Sequence, residues 1–231
     1  MKTSNIIFIT LLGTIAVLIL AAVLDVRING QKRGDFLSNY KVDRQTIPSF
    51  KVLCINNSRN TTLVQNDSAF IEVTYQKDSI APVLKYTIKE DTLTVSDSER
   101  SVYHNFSIRI NATDSLVRII LKNSNIRIER FVYGKLSMDL DRSYVLLNQD
   151  QNGKFSLQTF YITAKNYSNV RSNSFKVDTL NIVLHKSQVD LSGIVNKLSG
   201  YIADSSGIRI LQPREISLKR DSSSNINVNH Y

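Results

Sequence analysis

The 231 residues contain no tryptophan, one cysteine, three histidines, three prolines and eight glycines. So little proline and glycine excludes a collagen-like chain or a low-complexity, disordered one. The single cysteine, Cys54, excludes an internal disulfide framework and a cysteine-based metal cluster. It lies in the apolar run 50–55 and reads as a small buried hydrophobe. The histidines, His104, His185 and His230, are too scattered for metal-ligand spacing. The glycines are isolated, so there is no phosphate-cradling loop. The sequence calls for no cofactor and no metal.

Charge is plentiful but dispersed. Lys and Arg number 29 against 20 Asp and Glu, a net +9. No basic run is longer than two residues, and no RNP-type or finger-type motif is present, which argues against nucleic acid. A positive chain of this kind suits acidic glycans, anionic lipid or simply a solvated basic surface.

One long hydrophobic run stands apart. It begins at Ile6 and ends at Leu24, with no charge inside. Its 19 residues cover roughly the 30 Å hydrocarbon core of a bilayer. It is longer than the h-region of a signal peptide, and Leu20 would occupy the −3 position of a cut after Ala22. It is expected to be an uncleaved membrane anchor. The flanking charges (Lys2 on one side, Arg27, Lys32 and Arg33 on the other) mildly oppose export of the body. Long domains translocate largely regardless of such charges, and an extracytoplasmic body is expected. The expected organisation is an anchor over 1–24, a polar juxtamembrane linker over 25–44 and one β-domain over 45–231.

After the anchor no convincing amphipathic helix appears. Valine, isoleucine, serine, threonine and asparagine dominate, as in strands joined by polar turns. A repeat emerges on aligning serines: Ser124-x-Ile126-x-Ile128, Ser143-x-Val145-x-Leu147, Ser168-x-Val170-x-Ser172, Ser187-x-Val189-x-Leu191, Ser206-x-Ile208-x-Ile210 and Ser224-x-Ile226-x-Val228. Subtracting successive serine positions gives 19, 25, 19, 19 and 18.

A second alternating stretch precedes each serine. In three copies its apolar residues stand 7, 5 and 3 before it: Val117/Ile119/Leu121, Leu136/Met138/Leu140 and Leu180/Ile182/Leu184. In the others they stand one residue further back: Phe160/Ile162/Ala164, Leu198/Gly200/Ile202 and Ile216/Leu218/Arg220. A turn of variable length accounts for the offset. The residue after each serine (Asn125, Tyr144, Asn169, Gln188, Gly207, Asn225) is expected to carry the left-handed bend.

Each unit of about 19 residues is thus strand, turn, strand and loop, about six of them over 116–228. A single unit cannot bury its apolar face, whereas stacked units can. A parallel β-solenoid is expected; an antiparallel sandwich of short strands is the competing reading. Arg220, at an inward position, fits an open terminal unit. In the first half 70–75 and 83–88 alternate, and Leu93-Thr94-Val95 after Glu90-Asp91 predicts a hairpin.

These features together resemble a known family. The segments FKVLCINNSRNTTLVQNDSAFIEVTYQ, KYTIKEDTLTVSD, LNIVLHKSQVDLSG and LSGYIADSSGIRI behind an anchor resemble the auto-transporter adhesin, head GIN domain family of Bacteroidetes, over residues 45–230. The resemblance implies an all-β, right-handed parallel β-helix on the cell envelope, following one N-terminal transmembrane helix. This chain is richer in Lys and Arg and poorer in glycine than common members. The triplets Asp67-Ser68-Ala69, Asp78-Ser79-Ile80, Asp91-Thr92-Leu93, Asp114-Ser115-Leu116 and Asp178-Thr179-Leu180 resemble bacterial O-glycosylation sites, which also suits an exported body.

Candidate chemistry is sparse. His185 and Ser187 are neighbours, but a nucleophile and base are recognised by geometry and a third orienting group. Asp139, Asp141, Asp190, Asp204 and Asp221 are candidate acids for a glycan lyase or hydrolase, with Asp204 and Asp221 brought close by stacking. The plainer reading is turn-capping aspartates. The outward residues of the second strands run Arg127, Leu146, Arg171, Asp190, Arg209, Asn227. Stacked, Arg127, Arg171 and Arg209 would form a basic column suited to acidic sugar or phosphate. The expected role is a membrane-anchored, non-catalytic scaffold or adhesin-like binding module. Its partners would be the membrane and either acidic glycans or an envelope protein, with no nucleic acid. The alternatives are a glycan-processing enzyme and an envelope sensing or assembly partner.

Overall fold

The computed structural model describes residues 3–29, 39–79, 82, 84–96, 106–148, 156–172, 175–211 and 213–229. The chain divides into two units, Met1–Lys41 and Val42–Tyr231. The first contains helix α1 (Thr3–Asn29), with no polar stripe between positions 6 and 24. Its side chains are described over 11–25 and at Arg27. Among the described residues no helix is long and apolar enough to cross a membrane. The expectation of an anchor therefore stands on the sequence of 6–24.

The rest is all β. The first strands are β1 (Tyr40–Thr46), β2 (Val52–Asn56), β3 (Thr61–Gln65), β4 (Phe70–Gln76), β5 (Lys85–Lys89), β6 (Thr92–Ser96) and β7 (Phe106–Ala112). They are followed by six pairs: β8 (Arg118–Lys122) with β9 (Asn125–Glu129), β10 (Val132–Asp141) with β11 (Tyr144–Asn148), β12 (Ser156–Lys165) with β13 (Asn169–Ser172), β14 (Lys176–His185) with β15 (Gln188–Leu191), β16 (Ile194–Ala203) with β17 (Gly207–Leu211), and β18 (Glu215–Arg220) with β19 (Asn225–Asn229). The members of each pair go to different sheets. One sheet runs β18-β16-β14-β12-β10-β8-β2-β6-β5, the other β1-β4-β7-β3-β9-β11-β13-β15-β17-β19.

From β8 onward every ladder is parallel and the repeat positions are in register: Ile119, Met138, Ile162, Ile182 and Gly200 align, as do Ile126, Val145, Val170, Val189, Ile208 and Ile226. An antiparallel sandwich is thereby excluded for this half. Antiparallel pairing is found for β4 with β7 and for the hairpin β5–β6, whose turn residues Glu90 and Asp91 both have positive φ.

The chain order explains why residues 50–110 show no repeat. β2 lies between β6 and β8, and β3 between β7 and β9. The chain builds one rung with β2 and β3, leaves to make β4–β7, then returns to the other side of its first rung. Structural neighbours there are far apart in sequence.

The inward residues form one continuous core that includes Leu53, Ile55, Leu121, Met138, Val145, Phe160, Ile182 and Ile208. The strands of ten residues bend once. Leu157 and Phe160, Val177 and Leu180, and Val195 and Leu198 are all buried although three apart, so the backbone turns a corner between them.

The anchoring serines are buried: Ser58, Ser124, Ser143, Ser168, Ser187, Ser206 and Ser224. Successive hydroxyls accept a backbone N–H from the previous rung at 3.1–3.2 Å: Ser58 to Ser124, Ser124 to Ser143, Ser143 to Ser168, Ser187 to Ser206 and Ser206 to Ser224. The same hydroxyls donate to carbonyls of their own turn, as Ser143 does to Asp141 at 2.8 Å and Ser168 to Lys165 at 2.7 Å. Burial without loss of hydrogen bonds is thus arranged around the side chain, which a methyl group cannot reproduce.

Three expectations are corrected. The left-handed residue precedes the serine: Asn57, Asn123, Arg142, Tyr167, Lys186 and Ser205 have φ between 48° and 67°. Residues such as Asn125, Tyr144 and Gly207 already open the next strand. Two of the three copies displaced by one residue carry two consecutive left-handed residues, Asn166–Tyr167 and Asp204–Ser205, where the undisplaced copies carry one; the turn before Ser224 carries none. Val117, expected inward, is exposed, because β8 begins only at Arg118. Cys54 is half-buried on the outward side of β2, between inward Leu53 and Ile55, since alternation sends it away from the core.

Candidate functional site

Register brings the predicted column together. Across the second sheet the outward residues run Arg127, Leu146, Arg171, Asp190, Arg209 and Asn227 on successive rungs. All three arginines are exposed. The column also extends beyond the repeat: Arg127 aligns with Thr62, Thr62 with Arg109, and Arg109 with Glu72. Arg109, Arg127, Arg171 and Arg209 thus recur on every second rung, roughly 9–10 Å apart at the usual strand spacing. Arg109 was hidden because β7 reaches this sheet out of chain order. The alternation of Ile108-Arg109-Ile110 marks it as outward, but its neighbours exist only in the fold.

The guanidinium groups differ in what already holds them. Arg209 Nη1 lies 3.4 Å from Asp190 Oδ2, and Arg109 Nη2 lies 3.9 Å from Glu129 Oε2. Arg127 and Arg171 meet no carboxylate among the described residues. These two therefore offer the least compensated donors, with Leu146 between them. Exposed pairs such as Arg209–Asp190 are weak and leave the arginine available to a stronger anion.

Of the candidate acids, Asp190 lies within the column and Asp139 on the other sheet, while Asp141, Asp204 and Asp221, with His185, serve the turns. Asp221 Oδ2 accepts the backbone N–H of Asp204 at 2.8 Å, and its Oδ1 accepts from the backbone and hydroxyl of Ser223. The proximity of Asp204 and Asp221 is real, but it is a cap on the turn below. Hydrogen bonds from Ser224, Asp204 and Ser223 hold the Asp221 carboxyl down at about 2. Asp141 takes Asn166 Nδ2 at 2.9 Å, with Lys165 and Arg142 each at 3.6 Å, and is likewise held below the usual carboxylate range, chiefly by the Asn166 hydrogen bond. Asp139 pairs with Arg118 at 2.7 Å.

His185 Nδ1 lies 2.9 Å from Asp204 Oδ2. The neighbouring Ser187 is buried and donates to the His185 carbonyl, so hydroxyl and imidazole do not form a nucleophile–base pair. Among the described residues no cluster of three His, Cys, Asp or Glu is arranged for a metal ion. His104 and His230 lie outside the described residues. The other sheet shows a different face, on which Tyr161, Val183 and Tyr201 are exposed and Lys135 Nζ stands 5.1 Å from the Tyr161 ring.

No family model matches this chain, and no curated protein matches it. Solved structures do. The chain is similar to a putative adhesin from Bacteroides fragilis, with a TM-score of 0.59 at 13% identity over 82% of this chain and 97% of that one. It is also similar to a putative adhesin from Parabacteroides merdae, with a TM-score of 0.50 at 14% identity over 83% of this chain and 96% of the other. At such identities the likeness is one of fold: the chain shares the all-β architecture of these bacterial proteins.

Proposed function

We propose that the protein is a cell-envelope binding module, adhesin-like and non-catalytic, tethered to the membrane by residues 6–24, with its body outside the cytoplasm. In this reading residues 45–231 form a right-handed parallel β-helix of the head GIN domain type. The uncharged 6–24 segment supports the tether, and the in-register parallel ladders support the solenoid. The observation that carries the binding role is the arginine column. A linear polyanion lying along the stack would meet a guanidinium on every second rung, each able to give forked hydrogen bonds to a carboxylate, sulfate or phosphate. The ligand class is an acidic envelope glycan whose charges recur at about the spacing of two rungs. A non-catalytic role is supported by the acids: Asp141, Asp204 and Asp221 are each committed to turn contacts.

The test uses the detergent-solubilised full chain with acidic and neutral envelope glycans and lipopolysaccharide, at low and high salt. Retention of acidic glycans that weakens with salt, with no new reducing or unsaturated ends, is expected. Equal retention of neutral glycans would remove the role of the arginines, and product release would replace binding by catalysis.

A further inference from the structure

The rungs between the arginines are as regular as the arginines themselves. In register order the outward column reads Glu72, Arg109, Thr62, Arg127, Leu146, Arg171, Asp190, Arg209, Asn227. Along these nine strands an arginine alternates with a residue that is not a cation. Two of the intervening residues, Glu72 and Asp190, are acids, and Leu146 is apolar. An anion set over Asp190 meets a like charge, and one set over Leu146 loses water and gains no partner. Such a column favours charge at every second position and disfavours charge at every position.

One intervening rung is more than a spacer. Tyr144 and Leu146 leave β11 on the same face, and both are half-buried. Their neighbours along the stack are Asn125 and Arg127 on β9, and Asn169 and Arg171 on β13. The result is a small apolar floor with an amide and a guanidinium on each side of it. Arg127 and Arg171 are also the arginines of the column that no described carboxylate holds.

A pyranose ring has apolar C–H faces and a polar rim of hydroxyls. Laid face-down on Tyr144 and Leu146, it covers apolar surface on both partners. Its rim then meets the amides of Asn125 and Asn169, which both donate and accept. The strand spacing of about 4.8 Å is close to the length of one sugar in an extended chain. The preceding and following sugars therefore lie over β9 and β13, where Arg127 and Arg171 can take their acid groups by forked hydrogen bonds. A polyphosphate has no C–H face and gains nothing from the floor.

We infer that Tyr144, with Leu146, is the stacking floor for an uncharged sugar held between two acidic ones, so that the arginine face takes a polysaccharide in which acidic and uncharged sugars alternate. This rests on the binding role proposed above and adds to it what lies between the charges. Tyr144 is a specificity-determining residue, acting on sugar polymers and indifferent to charge alone.

The test uses the detergent-solubilised full chain and three probes, at one salt concentration and equal total charge. Hyaluronan oligosaccharides carry a carboxylate on every second sugar, β-linked oligoglucuronate carries one on every sugar, and inorganic polyphosphate has no sugar. Hyaluronan is expected to bind roughly tenfold more tightly than oligoglucuronate. Tyr144→Ala should weaken hyaluronan roughly tenfold and leave polyphosphate unchanged, and Tyr144→Phe should keep the hyaluronan affinity. Leu146→Arg combined with Asp190→Arg fills the gaps in the column and should turn the preference toward oligoglucuronate, a change that misfolding does not produce. The inference is overturned if hyaluronan and oligoglucuronate bind alike, or if Tyr144→Ala weakens polyphosphate as much as hyaluronan. In either case a loss of binding in Arg127→Ala leaves the binding role of the arginines standing. If none of the probes shows salt-sensitive binding, that role and this inference fall together.

Discussion

The backbone N–H of Ser124 donates to the hydroxyl of Ser143 at 3.2 Å, and that hydroxyl donates in turn to the carbonyl of Asp141 at 2.8 Å. One buried side chain thus joins two neighbouring rungs and closes its own turn. Ser143→Ala leaves the Ser124 N–H without its acceptor in a place closed to water. A loss of about 1–3 kcal/mol is expected, measured by urea unfolding. A loss under a few tenths would mean that the ladder contributes little.

Gly200 is the one residue of its column without a side chain, and the fold requires that. Its φ is +136°, and a Cβ there would lie 1.9 Å from the carbonyl oxygen of Ile182 on the adjacent strand. Gly200→Ala is expected to cost about 3 kcal/mol through backbone strain and forced separation of β14 and β16. Gly207, where a Cβ meets nothing within 4 Å, is the control. Gly207→Ala should move the melting temperature little.

Asp221 links stability to acid. Its carboxyl titrates at about 2 in the folded chain against an ordinary 3.8, because Ser224 and the Asp204 N–H donate to the ionised form. A depressed folded-state value means the contribution is whole above about pH 4 and is lost as pH falls toward 2. Asp221→Asn should flatten the stability profile in that window and leave its shape near neutrality unchanged. Unfolding midpoints between pH 2 and pH 5 would show this, and identical profiles would dissociate Asp221 from acid sensitivity.

The arginines of the column should not contribute equally. Asp190 already engages Arg209, whereas Arg127 and Arg171 are free of carboxylates among the described residues. Arg127→Ala and Arg171→Ala are each expected to weaken acidic-glycan retention about three- to fivefold, and Arg209→Ala less. Asp190→Ala should strengthen retention. A titration series at fixed salt checks the ranking.

Much of the architecture was legible in the residues. Period-two alternation around Ser143, Ser187 and Ser206 fixed which side chains face inward, because a strand has only two faces and apolar side chains must take the buried one. The one-residue offset before Ser168 and Ser206 signalled a longer turn, and two left-handed residues are found there. The hairpin at Glu90-Asp91 followed from local turn chemistry.

Other features were beyond any local reading. Arg109 joins Arg127 through Thr62 only because β2 and β3 insert between strands formed much later in the chain. Asn123 rather than Asn125 takes the left-handed bend, since the buried serine has to return its hydroxyl to the turn carbonyls and start the next strand at once. Gly200 takes an inward position of the repeat like any other member, and only the approach of the Ile182 backbone makes a glycine obligatory there. The sequence by itself determined alternation, turn positions, the charge-free 6–24 segment and the serine repeat, all set by interactions within about 20 residues. The tertiary structure alone decided which rungs are neighbours and which arginines share a column, because these depend on contacts between residues remote in the chain.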